Sequence, residues 1–188
     1  MQAGRNGRLS DSLRNRLERV RLLLLDVDGV LTDGGLFYGE DGSEWKRFDV
    51  KDGAGIFLAR RAGLEVGILT GKTSRMVERR AGDLGMTRVL QGALDKGEGL
   101  EAILADGKYA PGDVGYVGDD VLDLPAMRRV AFAACPADAH PAVAESAHYV
   151  CERRGGHGAV REVIDLILEA RGGWASVEAL LREDPDHV

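Results

Sequence analysis

A short apolar run that ends in two closely spaced aspartates constrains this chain more than any other feature. Leu22–Leu25 are four consecutive leucines, and Asp26 and Asp28 follow with a single valine between them. A run of this length, closed by Asp and then Gly29, is typical of a strand buried on both faces of a parallel sheet. Because residues two apart on an extended strand point the same way, both carboxylates are expected at the carboxyl end of that strand.

The two carboxylates predict a site for a divalent cation. Like charges this close are costly unless something neutralises them. Mg²⁺ is a hard cation that takes one or two carboxylates together with the phosphate oxygens of a substrate. Open α/β sheets bind ligands at the carboxyl ends of their strands, where Asp26 and Asp28 are expected. The plainer alternative is a capped strand end that carries two solvated aspartates.

The composition limits the class of protein. The 188 residues suggest one domain, and an apolar content of 44% is enough for a sizeable core. A net charge of −6 argues against general nucleic-acid binding, which needs a basic surface. No apolar run approaches the roughly 18 residues of a membrane span, and no signal peptide is recognisable. Cys135 and Cys151 lack a CxxC spacing and are expected to be reduced and buried, as in a cytoplasmic protein.

Strands and helices alternate along most of the chain. Short strands are expected at 21–26, 64–69, 88–91, 114–117, 131–134 and 149–151. This alternation predicts a Rossmann-like three-layer α/β/α fold around a central parallel sheet. The pattern is interrupted after the first strand by a β-hairpin signal at 34–49, where aromatic residues flank a Glu-Asp-Gly turn. No insertion is long enough to form a cap domain.

The two ends of the chain differ from the alternating part. Residues 1–20 are expected to be an N-terminal extension, disordered before Leu9, that ends in a short helix. Residues 21–171 are expected to form the α/β domain. Residues 172–188 are expected to be a charged tail that begins with a short helix, marked by apolar residues as far as Leu181.

Polar residues follow four of the predicted strands. They are Asp26 and Asp28 after the first strand, Thr70 after the second, Lys96 after the third, and Asp119, Asp120 and Asp123 after the fourth. The carboxyl ends of parallel strands lie on one edge of a sheet, so these groups are expected to converge. Carboxylates, an ammonium and a hydroxyl suit phosphoryl transfer, in which a carboxylate can attack phosphorus while cations cancel the developing charge.

These segments resemble the four motifs of the haloacid dehalogenase superfamily, in the same order. The matching stretches are DVDGVLTD, ILTG, the Asp95-Lys96 pair and GDDVLDLP. Between residues 21 and 170 the chain is also similar to the capless branch that includes octulosonate 8-phosphate and nonulosonate 9-phosphate phosphatases. That similarity rests on YGEDGSEWKRFDVKDGAGI, LGMTRVLQG, PADAHPAV and RRGGHGAVREVIDLIL.

The resemblance implies a Mg²⁺-dependent phosphatase that acts on a sugar-acid phosphate through an aspartyl-phosphate, in lipopolysaccharide precursor synthesis. It implies that Asp26 is the nucleophile and Asp28 the acid/base. It implies that Thr70 and Lys96 position the phosphoryl group. The Mg²⁺ ligands would be the Asp26 carboxylate, the Asp28 backbone carbonyl and Asp119.

The resemblance also implies a sugar site and an assembly. The substrate-binding residues would be Asp28, Asp49, Val50, Lys51, Asp52, Gly53, Lys72, Arg80 and Lys96. The family forms homotetramers in which the hairpins pack together and a neighbouring subunit completes each active site. The apolar residues of the hairpin agree with such packing. Residues 153–158 could then reach the substrate of a neighbour.

Two departures from the family pattern leave the substrate open. The chain reads TGK, with Lys72, where octulosonate phosphatases commonly read TGR, and lysine lacks the bidentate fork of arginine. Phe57 stands where some members carry arginine. Octulosonate 8-phosphate is therefore the leading substrate, and nonulosonate 9-phosphate is the alternative. A phosphomutase would need a lid domain, and a non-catalytic assembly module would have lost its nucleophile or metal ligands.

Overall fold

The computed structural model describes residues 9–175 and residue 177, which form a central sheet between two layers of helices. The strands are β1 (Leu22–Leu25), β2 (Phe37–Tyr38), β3 (Glu44–Trp45), β4 (Glu65–Leu69), β5 (Val89–Leu90), β6 (Val114–Val117), β7 (Phe132–Cys135) and β8 (Tyr149–Val150). Six of them pair in parallel in the order β5-β4-β1-β6-β7-β8. The predicted central parallel sheet is confirmed.

Helices cover both faces of this sheet. They are α1 (Asp11–Arg19), α2 (Val50–Arg61), α3 (Arg75–Asp83), α4 (Lys96–Leu104), α5 (Leu124–Met127), α6 (Pro141–Ser146) and α7 (Ala159–Ala170). One core cluster joins β1 to α1, α2, α3 and α7, and the other joins it to α4, α5 and α6. The three-layer arrangement predicted from the alternation is therefore confirmed.

Strand β1 lies at the centre of the fold because both of its faces are apolar. All four of its leucines are fully buried, with Leu23 and Leu25 in one core cluster and Leu22 and Leu24 in the other. Burying one such side chain contributes roughly 1.5–3 kcal/mol. With β4 and β6 as its parallel neighbours, the strand delivers Asp26 to the middle of the carboxyl edge.

The predicted hairpin is the only insertion between β1 and α2. Strands β2 and β3 pair antiparallel with Phe37 opposite Trp45, apart from the main sheet. The side chains of this pair are 55% and 65% exposed, and Tyr38 is 71% exposed. Residues 9–175 contain no cap domain, as predicted, and no helix among the described residues is long and apolar enough to cross a membrane.

The short helix before β1 packs into the main core. Ser10 caps α1 by accepting the Leu13 N–H, and buried Leu13 and Leu17 face the cluster that contains α7. Residues 1–8, 176 and 178–188 lie outside the described part of the chain, together with the predicted disorder before Leu9 and the Leu181 end of the tail helix. The predicted domain bounds at 20 and 171 stay predictions.

Candidate active site

The polar residues that follow the strands surround one cavity at the carboxyl edge of the sheet. The cavity has a volume of about 330 Å³. Its polar and charged lining residues are Asp26, Asp28, Thr70, Lys72, Lys96, Asp119, Asp120 and Asp123. Glycines of the connecting loops and two exposed leucines, Leu94 and Leu122, complete the wall. The convergence expected from the positions of these residues along the chain is present.

Lys96 is a buried cation fixed from several sides. Its Nζ donates to Asp26 Oδ1 at 2.7 Å, to the Leu69 carbonyl at 2.8 Å and to Asp123 Oδ1 at 3.1 Å. The residue begins α4, and Asp95 caps that helix by accepting two backbone N–H groups. The ammonium is therefore held beside Asp26, where it can offset the charge of a phosphoryl group.

Asp123 holds Lys96 and the loop of Asp119 in place through hydrogen bonds. Its Oδ1 accepts hydrogen bonds from Lys96 and, at 2.7 Å, from the Tyr116 hydroxyl. Its Oδ2 accepts the backbone N–H groups of Asp119 at 3.0 Å and Asp120 at 3.3 Å. Burial raises the pKa of Tyr116 well above its usual range, which keeps the phenol protonated as a donor. Sequence reasoning placed Asp123 at this edge but did not select it as a site residue.

Three carboxylates of the cavity lie close enough to hold one cation. Oxygens of Asp26, Asp119 and Asp123 are all within 4.8 Å of one another. Among the described residues, Asp119 Oδ1 is buried without a hydrogen-bond partner. Because donors already occupy both oxygens of Asp123, the carboxylates left for a metal are those of Asp26 and Asp119. Hard oxygen ligands of this kind fit Mg²⁺.

Burial and neighbouring negative charges raise the pKa values of the Asp26 and Asp119 carboxyl groups. Burial, together with the Asp123 and Asp26 carboxylates, raises the pKa of Asp119 to about 7. Burial and Asp123 raise the pKa of Asp26, while Lys96 acts in the opposite direction. A divalent cation between the two groups would remove this penalty. The donor set therefore fits the metal expected at this edge.

Gly29 allows the first aspartate loop to pass close to Asp119. Its φ of +88° lies in the left-handed region, and a Cβ atom there would lie 2.0 Å from Asp119 Oδ2. The same loop is supported from behind by a second glycine turn, in which Gly156 N donates to the Val30 carbonyl at 2.9 Å. Both turns need residues without a side chain.

Asp28 lines the cavity and contacts a lysine that sequence reasoning missed. The Lys46 ammonium, carried by the hairpin just after β3, donates to Asp28 Oδ1. The Lys46 side chain is 1% exposed, whereas that of Asp28 is 24% exposed. The residues around Lys46 did not indicate a role for it, because its partner Asp28 lies 18 positions earlier in the chain.

The other predicted residues of the cavity differ in exposure. Thr70 is 3% exposed at the end of β4, and its backbone N–H donates to the Leu90 carbonyl. Lys72 lies in the same loop and lines the cavity from an exposed position. Arg80 is not in the cavity: its guanidinium donates to the Asp49 carbonyl at 3.2 Å and lies over the Phe48 ring.

Residues 49–53 form the start of α2 rather than a wall of the cavity. Asp49 caps the helix by accepting the Lys51 N–H, and Val50 is 82% exposed. A Cβ atom on Gly53 would meet the Arg80 guanidinium. Within one chain, none of these five residues lines the cavity around Asp26. Lys51 instead borders a separate cavity of about 410 Å³ next to α7.

Asp52, predicted to bind the substrate, lies outside the cavity of its own chain. It is 1% exposed, and its two oxygens accept the backbone N–H groups of Gly158 at 3.3 Å and Arg161 at 2.8 Å. Burial raises its pKa to about 6. The carboxylate therefore faces the amino end of α7, because a buried acid needs donors and the free N–H groups of a helix start supply them.

Comparisons with known proteins agree with this geometry. The 3-deoxy-D-manno-octulosonate 8-phosphate phosphatase KdsC of Escherichia coli K12 is 45% identical over 152 residues, which are 81% of each chain. This chain belongs to the KdsC family. A scan of protein-family models gives no match. This level of identity over most of both chains decides the family.

Two solved structures place the family in its superfamily. The Moraxella catarrhalis 3-deoxy-D-manno-octulosonate 8-phosphate phosphatase, solved with a magnesium ion, a phosphate ion and a KDO molecule, is 33% identical with a TM-score of 0.88. The match covers 92% of this chain and 99% of that one. A Legionella pneumophila protein described as a hydrolase of the HAD superfamily, subfamily III A, is 35% identical with a TM-score of 0.88, covering 92% and 95%. The expected haloacid dehalogenase fold is confirmed.

Proposed function

We propose that this protein is a Mg²⁺-dependent phosphatase that hydrolyses 3-deoxy-D-manno-octulosonate 8-phosphate to the free sugar acid and phosphate. The observation that carries the proposal is the convergence of Asp26, Asp28, Lys96 and Asp119 on one cavity in a member of the KdsC family. A phosphoric monoester hydrolase needs a nucleophile, an acid and fixed positive charge at one point, and this set supplies them. The free sugar acid is a lipopolysaccharide precursor.

In the first step Asp26 attacks phosphorus. A new bond forms between a carboxylate oxygen and phosphorus, and the bond from phosphorus to the sugar oxygen breaks. Protonated Asp28 gives its proton to the leaving oxygen, so that the alcohol departs neutral. Lys96 lies 2.7 Å from Asp26 and stabilises the negative charge of the transferring group, while Thr70 offers a hydroxyl donor.

In the second step Asp28, now a carboxylate, takes a proton from water. The water oxygen attacks phosphorus, the bond between phosphorus and Asp26 breaks, and phosphate leaves. The two steps return both aspartates to their starting states. Their sum is the hydrolysis of one phosphate ester by one water molecule.

The residues that would hold Mg²⁺ are the Asp26 and Asp119 carboxylates and the Asp28 backbone carbonyl. The bound ion would neutralise negative charge on the phosphoryl group and on the crowded carboxylates. The partnerless Oδ1 of Asp119 and the raised pKa of that residue support its place in this set. Asp123 supports Lys96 and the Asp119 loop, as its four donors indicate.

The substrate is tested by comparing ulosonate phosphates of eight and nine carbons with and without Mg²⁺. We expect the highest kcat/KM for octulosonate 8-phosphate. A higher value for a nonulosonate 9-phosphate would replace the substrate but keep the reaction, and Lys72 at the cavity would then be the first residue to examine. Absence of Mg²⁺-dependent turnover of any ulosonate phosphate would overturn the proposal.

We also propose a cytoplasmic homotetramer in which the hairpins pack together and a neighbour completes each active site. Exposed Phe37, Tyr38 and Trp45 give the hairpin more apolar surface than a solvated hairpin needs. The open cavity of one chain would receive sugar-binding groups from residues 49–53 or 153–158 of another. The two cysteines are free and buried, in agreement with a reducing compartment.

A further inference from the structure

A buried lysine of the hairpin is paired with the proposed acid/base residue. Lys46 follows β3, its side chain is 1% exposed, and its ammonium donates to Asp28 Oδ1. A second carboxylate, that of Glu44, lies farther away at 3.9 Å. Burying an ammonium is costly unless it is paired, so the contact with Asp28 is the main compensation for this position.

Lys46 acts on Asp28 from outside the cavity. Asp28 lines the cavity and is 24% exposed, whereas Lys46 is not among the lining residues. An ammonium that holds Oδ1 restricts rotation of the carboxyl group of Asp28, which lines the cavity. Because the contact is buried, salt screens it little. Substrate in the cavity would therefore meet Asp28 but not Lys46.

We propose that Lys46 is a positioning residue that fixes Asp28 in the orientation required for proton transfer to the leaving oxygen. The inference rests on the proposed function, because it assigns a task to the acid/base of that reaction. Proton transfer depends on geometry, and a donor displaced by about an ångström can lose a large part of its effect. The hairpin thereby takes part in the chemistry, although none of its residues after Gly34 lines the cavity.

The adjacent arginine provides a matched comparison. Arg47 fixes the same part of the hairpin by donating to Asp33 Oδ2 at 3.1 Å and to the Gly156 carbonyl at 3.1 Å. It makes no contact with Asp28 among the described residues. Changing Arg47 therefore tests the attachment of the hairpin, and changing Lys46 tests the contact with the acid/base.

The experiment compares an alkyl phosphate with an aryl phosphate. The leaving oxygen of a sugar phosphate needs a proton, whereas p-nitrophenolate leaves as a stable anion. The value of kcat/KM covers substrate binding and the steps up to loss of the alcohol, so it includes the acid step and excludes hydrolysis of the aspartyl-phosphate. For Lys46→Met we expect kcat/KM to fall by about tenfold or more with octulosonate 8-phosphate and by less than about threefold with p-nitrophenyl phosphate.

Two further variants separate positioning from folding. Lys46→Arg keeps the charge, and we expect it to recover part of the loss seen with the sugar phosphate. Arg47→Met should change the two substrates by the same factor. Thermal melting and light scattering check that each variant keeps the fold and the mass of the wild type, and Lys46→Gln takes the place of Lys46→Met if the latter does not.

The results separate this inference from the proposed function. Equal losses for both substrates in a folded Lys46 variant, or no loss for either, would overturn the positioning role. If the wild type does not hydrolyse octulosonate 8-phosphate, only the substrate assignment is overturned. The comparison of variants would then use the ulosonate phosphate that the wild type prefers. Full activity of Asp26→Asn would overturn the reaction itself.

Discussion

Asp52 Oδ1 accepts the backbone N–H of Arg161 at 2.8 Å, so that a side chain of α2 caps the amino end of α7. Gly158 precedes α7 at the N-cap position and has no side chain that could cap the helix. The second Asp52 oxygen accepts the Gly158 N–H at 3.3 Å. This cap fixes the turn at 155–156, which packs against the loop of Asp26 and Asp28.

The Asp52 cap predicts a specific dependence of stability on pH. Its pKa is about 6 in the folded protein and 3.8 as the ordinary value. Since the folded pKa is the higher one, protonation favours folding: the contribution is complete below pH 3.8 and is lost as pH rises through 6. The change amounts to about 3 kcal/mol at most. Asp52→Asn does not titrate, so its stability should decline less over this range.

Urea unfolding of both proteins between pH 4 and pH 7 measures this effect. Other acids titrate equally in the two proteins, so the difference in unfolding free energy isolates Asp52. If the unfolding free energies of the two proteins stay parallel from pH 4 to pH 7, Asp52 does not titrate in this range.

The nucleophile assignment predicts that Asp26→Asn lowers kcat by several orders of magnitude, because the amide cannot form the acyl phosphate. The fold should persist, since burial and Asp123 already raise the pKa of this carboxyl and a neutral side chain relieves that crowding. Activity and thermal melting are measured on the same preparation. Retention of more than about a tenth of wild-type kcat would remove Asp26 from the role.

Mg²⁺ should stabilise the wild type and support its activity, whereas Ca²⁺ should inhibit. Ca²⁺ accepts more ligands at longer distances and would disturb in-line attack. Saturation at about 100 times the dissociation constant corresponds to roughly 2.7 kcal/mol, which a thermal shift detects without turnover. Asp119→Asn should lose most of this shift, and Asp120→Asn should retain it because Asp120 lies outside the acidic triad. Equal shifts in the two variants would refute the ligand set.

Gly29→Ala should weaken Mg²⁺ binding through Asp119. The new Cβ would lie 2.0 Å from Asp119 Oδ2, so the carboxylate has to move. Gly42→Ala is a matched control, because Gly42 has a φ of +80° but nothing within 4 Å of its Cβ position. Both variants carry the backbone cost of a positive φ, roughly 1 kcal/mol. Only Gly29→Ala should lose the Mg²⁺-dependent thermal shift. If Gly42→Ala loses it as well, backbone strain and not the contact with Asp119 is the cause.

Features that depend on neighbouring residues in the sequence could be predicted, whereas features that depend on distant partners could not. The burial of β1 and the placement of Asp26 follow from a pattern of a few adjacent residues. The roles of Lys46 and Asp52 depend on partners 18 and 106 positions away, which no local pattern encodes. The family motif gives the position of Asp52 in the chain, whereas its hydrogen bonds to Gly158 and Arg161 show which way its carboxylate faces.

The exposed apolar side chains of the hairpin predict that subunits assemble through it. A charge placed on this surface should disrupt the assembly. Trp45 is 65% exposed beside Phe37, and packing against copies of itself in a closed ring would bury both. We expect light scattering at micromolar concentration to give the mass of a tetramer for the wild type and a lower mass for Trp45→Glu. Ala102→Glu adds the same charge on the exposed side of α4 and should leave the mass unchanged. Because a neighbour is proposed to complete each site, Trp45→Glu should also lose turnover of the sugar phosphate. A wild type that is monomeric and fully active on that substrate would rule the shared site out.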